Sequence, residues 1–309
     1  MIKRDFITLE DWSCEDIEKL LTLAQSVKNN RSKTLEHLKG KSMGLIFQKP
    51  SNRTRVSFEV GFAQLGGYCI YLGPEEIDLG KRESTADVAK TLSRYLDVIV
   101  ARTFNHQDIL ELAQHAAIPV INGLSDLEHP CQALADLLTI QEKFKKLKGL
   151  TFAYVGDGNN VCHSLLLGCA RLGLHMKIAC PQGYEPQAKI VEQAKTFGVK
   201  SGSKVSVSHN PQEAVTGANV IYTDVWTSMG QEEEREQRLK DFQGFQINQE
   251  LTRLADPKYI FMHCLPAHRG EEASAQVIDD QTHSIIFDQA ENRLHAQKAV
   301  LLTLLRGKF

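Results

Sequence analysis

Residues 43–65 read "MGLIFQKPSNRTRVSFEVGFAQL". Met43–Phe47 is an apolar run of strand length. From Thr54 onward, Val56, Phe58, Val60, Phe62 and Leu65 recur at helical spacing among small and polar residues. A strand that turns directly into a helix is the first half of a βαβ unit, so this stretch predicts a parallel α/β layer fold.

The same rhythm extends outward. Strand-like segments at Cys69–Leu72, Asp97–Ala101 and Pro119–Asn122 alternate with helical ones at Ser84–Tyr95, Gln107–Ala116 and Pro130–Phe144. The basic stretch "KFKKLKG" (143–149) ends in Gly, and the pattern then restarts. Strands are expected at Leu150–Val155, Met176–Cys180, Val205–Ser208, Asn219–Thr223, Tyr259–His263 and Ser284–Phe287, with helices at Asn159–Leu172 and Glu185–Phe197. A last helix is expected over 290–306, its leucines suited to packing on a neighbouring domain. The expected architecture is therefore α/β in two domains, 1–147 and 148–309, each a mostly parallel sheet flanked by helices.

Composition narrows the function. In 309 residues, 42% are hydrophobic, 24% are charged and the net charge is −2, so no global field favours nucleic acid or a membrane surface. An anionic ligand must then be held by a local cluster of donors. No run approaches the roughly 18 apolar residues of a membrane span, and "MIKRDFITLEDW" lacks the core of a secretory signal. The seven cysteines are odd in number and scattered, which suits reduced thiols and predicts a cytoplasmic protein without nucleic-acid or membrane partners.

Six stretches carry candidate chemistry. At the mouth of the first helix, Ser51, Asn52, Arg53 and Thr54 combine free backbone N–H groups, hydroxyls and a planar guanidinium, a set suited to phosphate. Arg55, one position round the helix, suits a structural salt bridge, and no G-x-x-x-x-G-K-[ST] loop is present. In "ARTF" (101–104), Arg102 sits at a strand's C-terminal end, where ligands of open α/β sheets gather. In "LSDLEHPCQALAD" (124–136), His129-Pro130 opens a helix; His129 can donate to an oxygen that gains charge, and Gln132 both donates and accepts. "VGDGNNV" (155–161) offers Gly156-x-Gly158, but Val161 stands where a dinucleotide fingerprint wants a small residue, and no carboxylate ends the next strand. A small-ligand turn using Asn159 or Asn160, or a plain capped turn, fits better.

Finally, "TDVWTSMG" (223–230) and "MHCLPAHRGEE" (262–272) both follow apolar strands. Asp224 can accept an ammonium, and Ser228 with the backbone around Met229 can donate to a carboxylate. Cys264 beside His263 admits three readings: a polar contact, a Cys–His nucleophile, or a zinc site with His268, although zinc usually takes paired ligands. "QEEEREQR" (231–238) reads as a solvated face or a mobile lid.

Taken in order, "SNRTRVSFE", "RTF", "HPCQALAD", "DVWTSMG", "HCLPAHRG" and "ENRLHAQKA" resemble the ornithine carbamoyltransferases along almost the whole chain. The resemblance implies a carbamoyl-phosphate domain followed by an ornithine domain, a last helix returning to the first domain, and a homotrimer with sites at subunit interfaces. It implies carbamoyl phosphate contacts at Ser51, Asn52, Arg53, Thr54, Arg102, His129, Gln132, Cys264, Leu265 and Arg293. It implies L-ornithine contacts at Leu124, Asn160, Asp224, Ser228 and Met229, with Arg102, His129 and Cys264 in catalysis. One departure stands out: the family usually has Ser-Thr-Arg-Thr-Arg, and here the second residue is Asn52, a change that bears on carbamoyl phosphate affinity. Direct attack by a neutral amine on an activated carbonyl needs no metal, cofactor or covalent intermediate when both substrates are held in place. An aspartate carbamoyltransferase would lack the "DVWTSMG" and "HCLP" pair, and putrescine or acetylornithine are the nearer alternative acceptors.

Overall fold

The structure, a computed structural model, describes residues 3–30, 36–77, 79–228 and 230–306. It divides into two compact units: Met1–Leu138 with Glu291–Phe309, and Thr139–Ala290.

The first unit contains α1 (Cys14–Asn29), β1 (Ser42–Phe47), α2 (Asn52–Ala63), β2 (Tyr68–Leu72), α3 (Thr85–Leu92), β3 (Val98–Arg102), α4 (His106–His115) and β4 (Val120–Leu124). Helix α5 (Pro130–Phe144) begins in it. Its four strands are parallel in the order β2-β1-β3-β4. All six residues of β1 and all five of β3 are buried, as expected for central parallel strands covered on both faces. Ile46, Ile99, Ala101 and Val120 pack with Val88 and Ala89 of α3 and Ile109 and Leu112 of α4. Burial of such aliphatic side chains contributes about 1.5–3 kcal/mol each.

The second unit contains β5 (Thr151–Val155), α6 (Asn160–Leu172), β6 (His175–Ala179), α7 (Ala188–Ser201), β7 (Val205–Ser208), α8 (Pro211–Val215), β8 (Val220–Thr223), α9 (Arg235–Asp241), α10 (Gln249–Thr252), β9 (Ile260–His263) and α11 (Ala275–Ile278). Its five strands are parallel in the order β7-β6-β5-β8-β9. Helix α12 (Ile286–Arg306) then leads into the first unit at Glu291.

Helix α5 runs unbroken across the division between units, and residues 130–140 are buried on every side. Two features depart from the sequence expectation. Ser284–Phe287 is no strand: Ser284 makes one bridge to Phe261, and α12 starts at Ile286. A four-residue apolar run does not distinguish a strand from the start of a buried helix. Helix α1, capped by Ser13 and buried through Ile17, Leu20, Leu21, Ala24 and Val27, lies upstream of the alternation that begins at Met43.

Each sheet has one place where strand order reverses, between β1 and β3 in the first and between β5 and β8 in the second. There the loops leaving neighbouring strands run to opposite sides and open a crevice. Beside the first reversal, the β3–β4 ladder slips between Ala101 and Arg102, so that Ala101 faces Asn122 and Arg102 faces Leu124. Gly123 is the extra residue. A Cβ there would lie 3.2 Å from the Ala101 carbonyl and 3.5 Å from the Thr54 methyl. Gly123→Val should therefore overpack this corner, costing about 1–3 kcal/mol. A lowered urea midpoint with an unchanged m-value would show it.

Candidate active site

At the first reversal, the exits of β1 and β3 are stitched together by Gln48. Its N–H donates to the Arg102 carbonyl at 2.9 Å, and its Oε1 accepts from Phe104 N at 2.8 Å. Three residues later Ser51 caps α2, its hydroxyl accepting from Thr54 N at 3.2 Å. Helices α1, α3 and α4 carry an acidic residue in the first turn; α2 carries none. The positive field of its N-terminus is therefore not offset by a carboxylate of its own first turn and favours an external anion.

Around that helix start, buried polar side chains converge. Arg293, on α12 and 2% exposed, donates from Nη2 to Thr54 Oγ1 at 3.1 Å and from Nη1 to Gln132 Oε1 at 2.6 Å. Gln132 in turn donates from Nε2 to Asp136 Oδ1 at 2.8 Å. Arg102 is buried, and the Arg102 Nε has no hydrogen-bond partner among the described residues. Burial, then the charges of Arg293 and Arg53, pushes Arg102 down to about 10. Burial also holds His129 well below its ordinary 6.5, helped by Arg293, Arg102 and Arg53. His129 is therefore neutral at neutral pH and can donate an N–H without adding charge. The buried Arg102 and Arg293 guanidinium groups repel each other and the half-buried Arg53, and a bound dianion would relieve that repulsion.

Leu124 ends β4 opposite Arg102, its carbonyl accepting from Thr103 N at 3.0 Å. Arg55 points away from the cluster: it pairs with Glu59 at 3.0 Å and lies over the Tyr71 ring.

At the second reversal, Asn159 caps α6, its Oδ1 accepting from Val161 and Cys162 N–H groups. Its Nδ2 crosses to donate to Asp224 Oδ2 at 2.8 Å. The other carboxylate oxygen, Oδ1, accepts from Val225 N at 2.8 Å and from the Cys264 thiol at 2.9 Å. Asp224 and Cys264, from the ends of β8 and β9, are thus joined, and the thiol acts as a donor. Cys69, Cys131 and Cys180 are pushed up to about 12 by burial, which makes them inert. Asn160 is half-buried at the first position of α6. Ser228 bonds within its own loop, its N–H donating to Gln231 Oε1 at 3.0 Å. Met229 lies outside the described residues.

Several alternatives are resolved by partners. His263 Nδ1 accepts from Leu265 N at 2.8 Å, which leaves Nε2 to carry the proton toward Glu272 Oε1 at 3.2 Å. His263 therefore braces the Cys264-Leu265 turn, where Leu265 adopts φ +62°, and offers no lone pair to a metal. Gly158 is required by packing: a Cβ would lie 2.2 Å from Pro186 N, and its own N–H donates to the Tyr184 carbonyl at 2.9 Å. That N–H is unavailable to a pyrophosphate. In the 231–238 segment, Glu232–Glu234 are exposed, but Arg238 is buried and donates to Asp157 Oδ2 at 2.8 Å and to the Trp226 carbonyl at 3.0 Å. The segment is anchored rather than loose. Burial raises Asp157 to about 6 despite that pair.

Asp136, Asp157 and Arg238 are the polar residues that sequence reasoning missed. For Asp136 the signal was available: it lies four residues beyond Gln132, on the same face of a helix.

Two models of one family match the chain. The carbamoyl-P binding domain of aspartate/ornithine carbamoyltransferase matches residues 4–142, and its Asp/Orn binding domain matches residues 148–304. The chain belongs to the aspartate/ornithine carbamoyltransferase family. It is 53% identical over 306 residues to the ornithine carbamoyltransferase of Thermococcus kodakarensis, covering 98% of this chain and 97% of that one. It is 54% identical over 304 residues to that of Symbiobacterium thermophilum, covering 98% of each. Among solved structures, ornithine carbamoyltransferase from Pyrococcus furiosus superposes with a TM-score of 0.95 at 50% identity, covering 100% of both chains.

His129 makes stability pH-dependent in a stated direction. Its ordinary value is 6.5, and the folded chain holds it lower. As pH falls through 6.5, the unfolded chain takes up a proton that the folded chain refuses, so stability is lost toward acid. His129→Gln removes this source, and the decline in Tm between about pH 7 and about pH 5 should be shallower than in the parent protein.

Proposed function

We propose that this protein is an ornithine carbamoyltransferase, moving the carbamoyl group of carbamoyl phosphate to the δ-amine of L-ornithine to give L-citrulline and phosphate. The observation that carries the reading is the convergence of Arg53, Arg102 and Arg293 on the neutral His129 at the start of an uncapped-by-acid helix. The names of the full-length relatives support it.

The first unit holds carbamoyl phosphate. Arg53, Ser51, Asn52 and the N-terminus of α2 take the phosphate, and Arg102 spans phosphate and carbonyl oxygen. Thr54 Oγ1 already accepts from Arg293, so its own O–H is left to donate to the substrate. With Arg102 and His129 it stabilises the charge that develops on the carbonyl oxygen. The second unit holds ornithine: Asn160, Ser228 and Met229 take the α-amino acid end, and Asp224 takes an amine. Leu124, Leu265 and Arg293 complete the contacts.

An unperturbed alkylamine titrates near 10.4, so the attacking δ-amine must first lose a proton. Nitrogen then bonds to carbon, the carbon–oxygen bond to phosphate breaks, and the departing phosphate takes up the second proton that the nitrogen sheds. Cys264 is a polar contact for the amine rather than a nucleophile, a role supported by its donation to Asp224. No metal or cofactor takes part.

We further propose a cytoplasmic homotrimer. Val56 and Val60 on α2, with Tyr68 and Ile70 on the adjacent edge strand β2, are exposed apolar side chains that support burial against another copy. No helix of the described residues is long and apolar enough to cross a membrane.

The decisive experiment is a citrulline assay in which ornithine, putrescine, acetylornithine and aspartate compete as acceptors. Ornithine should dominate, and preference for another acceptor would overturn the reading. Arg53→Ala should lower kcat/KM by about 100-fold or more. Cys264→Ser should lower it by about tenfold and retain turnover. A carbamoylated Cys264 trapped by mass spectrometry would refute the direct attack.

A further inference from the structure

Asp136 is fully buried on α5, with its carboxylate 2.8 Å from Gln132 Nε2. The opposite end of the same amide, Oε1, accepts from Arg293 Nη1 at 2.6 Å. A glutamine amide is nearly symmetric in shape, and only its partners decide which way it points. Here both partners have a single role: a carboxylate accepts, and a guanidinium donates. Turning the amide over would set NH₂ against Arg293 and C=O against Asp136, two repulsive contacts in a buried place. The amide therefore has one orientation, with its carbonyl oxygen on the side of Arg293 and Thr54.

We infer that Asp136 is the positioning residue that makes the anion site select an acyl phosphate bearing NH₂ over one bearing CH₃. By holding Gln132 Nε2, it presents Oε1 to the substrate, and the second lone pair of that oxygen accepts from the carbamoyl NH₂. The inference rests on the carbamoyl phosphate reading above. Its size follows from Arg293: because Oε1 already has one donor, a methyl group in place of NH₂ does not orphan the acceptor. The selectivity attributable to the amide is one hydrogen bond, about tenfold.

The test compares binding of carbamoyl phosphate, acetyl phosphate and inorganic phosphate to the purified protein and to Asp136→Leu, which cannot accept from Gln132 Nε2 and leaves the amide held at Oε1 alone. The ratio of acetyl phosphate to carbamoyl phosphate dissociation constants should fall by up to about tenfold, while inorganic phosphate binds as before. Asp136→Asn, whose Oδ1 can still accept from Nε2 while Arg293 keeps the amide's sense, should retain the ratio, and in a Gln132→Met background Asp136→Leu should leave it unchanged. Retained selectivity in Asp136→Leu would overturn the inference. Equal weakening of all three ligands would also overturn it, because Asp136 would then merely support the anion site. Asp136→Ala replaces the variant if Asp136→Leu fails to fold, and failure of both would assign the carboxylate to folding instead. Absence of citrulline formation by the parent protein would sink the activity itself, a separate outcome.

Discussion

Two hydrogen bonds donated by Arg293 hold the cationic cluster of the first unit in shape. One fixes the Thr54 hydroxyl at the head of α2, and the other fixes the Gln132 amide on α5. Both are charge-assisted bonds in a buried place, where they are strong and where their loss would strand a charge. They also bring a guanidinium close enough to Arg102 and His129 to shift both groups. The site is thus built against its own electrostatics. It stores like-charge repulsion that a bound anion would relieve, which sets the stability of the cluster against its affinity for an anion.

The second unit is organised around a carboxylate in the same way. Asp224 accepts from the cap of α6, from its own following N–H and from the thiol that ends β9, which ties three loops to one group. Around it, His263 and Glu272 brace one turn, and Arg238 with Asp157 anchors another. The two switch points are therefore complementary in sign: a cationic cluster at one, a carboxylate at the other. That division suits an enzyme whose two substrates are an anion and an amine.

Strand positions were legible because buried parallel strands read as short apolar runs, and β1, β3, β5 and β8 lie within about a residue of their predicted bounds. "SIIF" at 284–287 misled for the same reason, since an apolar run that opens a buried helix has the same local pattern. The helix start at Asn52 and its Ser51 cap were legible from residue type, because a hydroxyl ahead of a helical run marks an N-terminus. Side chains that serve other side chains were not. Asp136 was signalled only by its four-residue spacing from Gln132, and Asp157 and Arg238 show their roles only when the β5–α6 turn and α9 are folded, because nothing in a lone Asp or Arg marks it as another residue's partner. The Gly-rich loop was ambiguous in the converse way, its Gly158 being dictated by Pro186 across a loop rather than by a ligand.

The return of the chain to its first unit at Glu291 has a consequence for biosynthesis. Emerging from the ribosome, residues 139–290 are a continuous segment that can close its sheet as soon as it is out, whereas the first unit waits for α12. Until then Gln132, Asp136 and Thr54 lack the guanidinium that joins them, and the surface that α12 will cover stays open. The unit begun first is thus the unit completed last, and the nascent chain is most in need of protection from aggregation in the interval before α12 emerges.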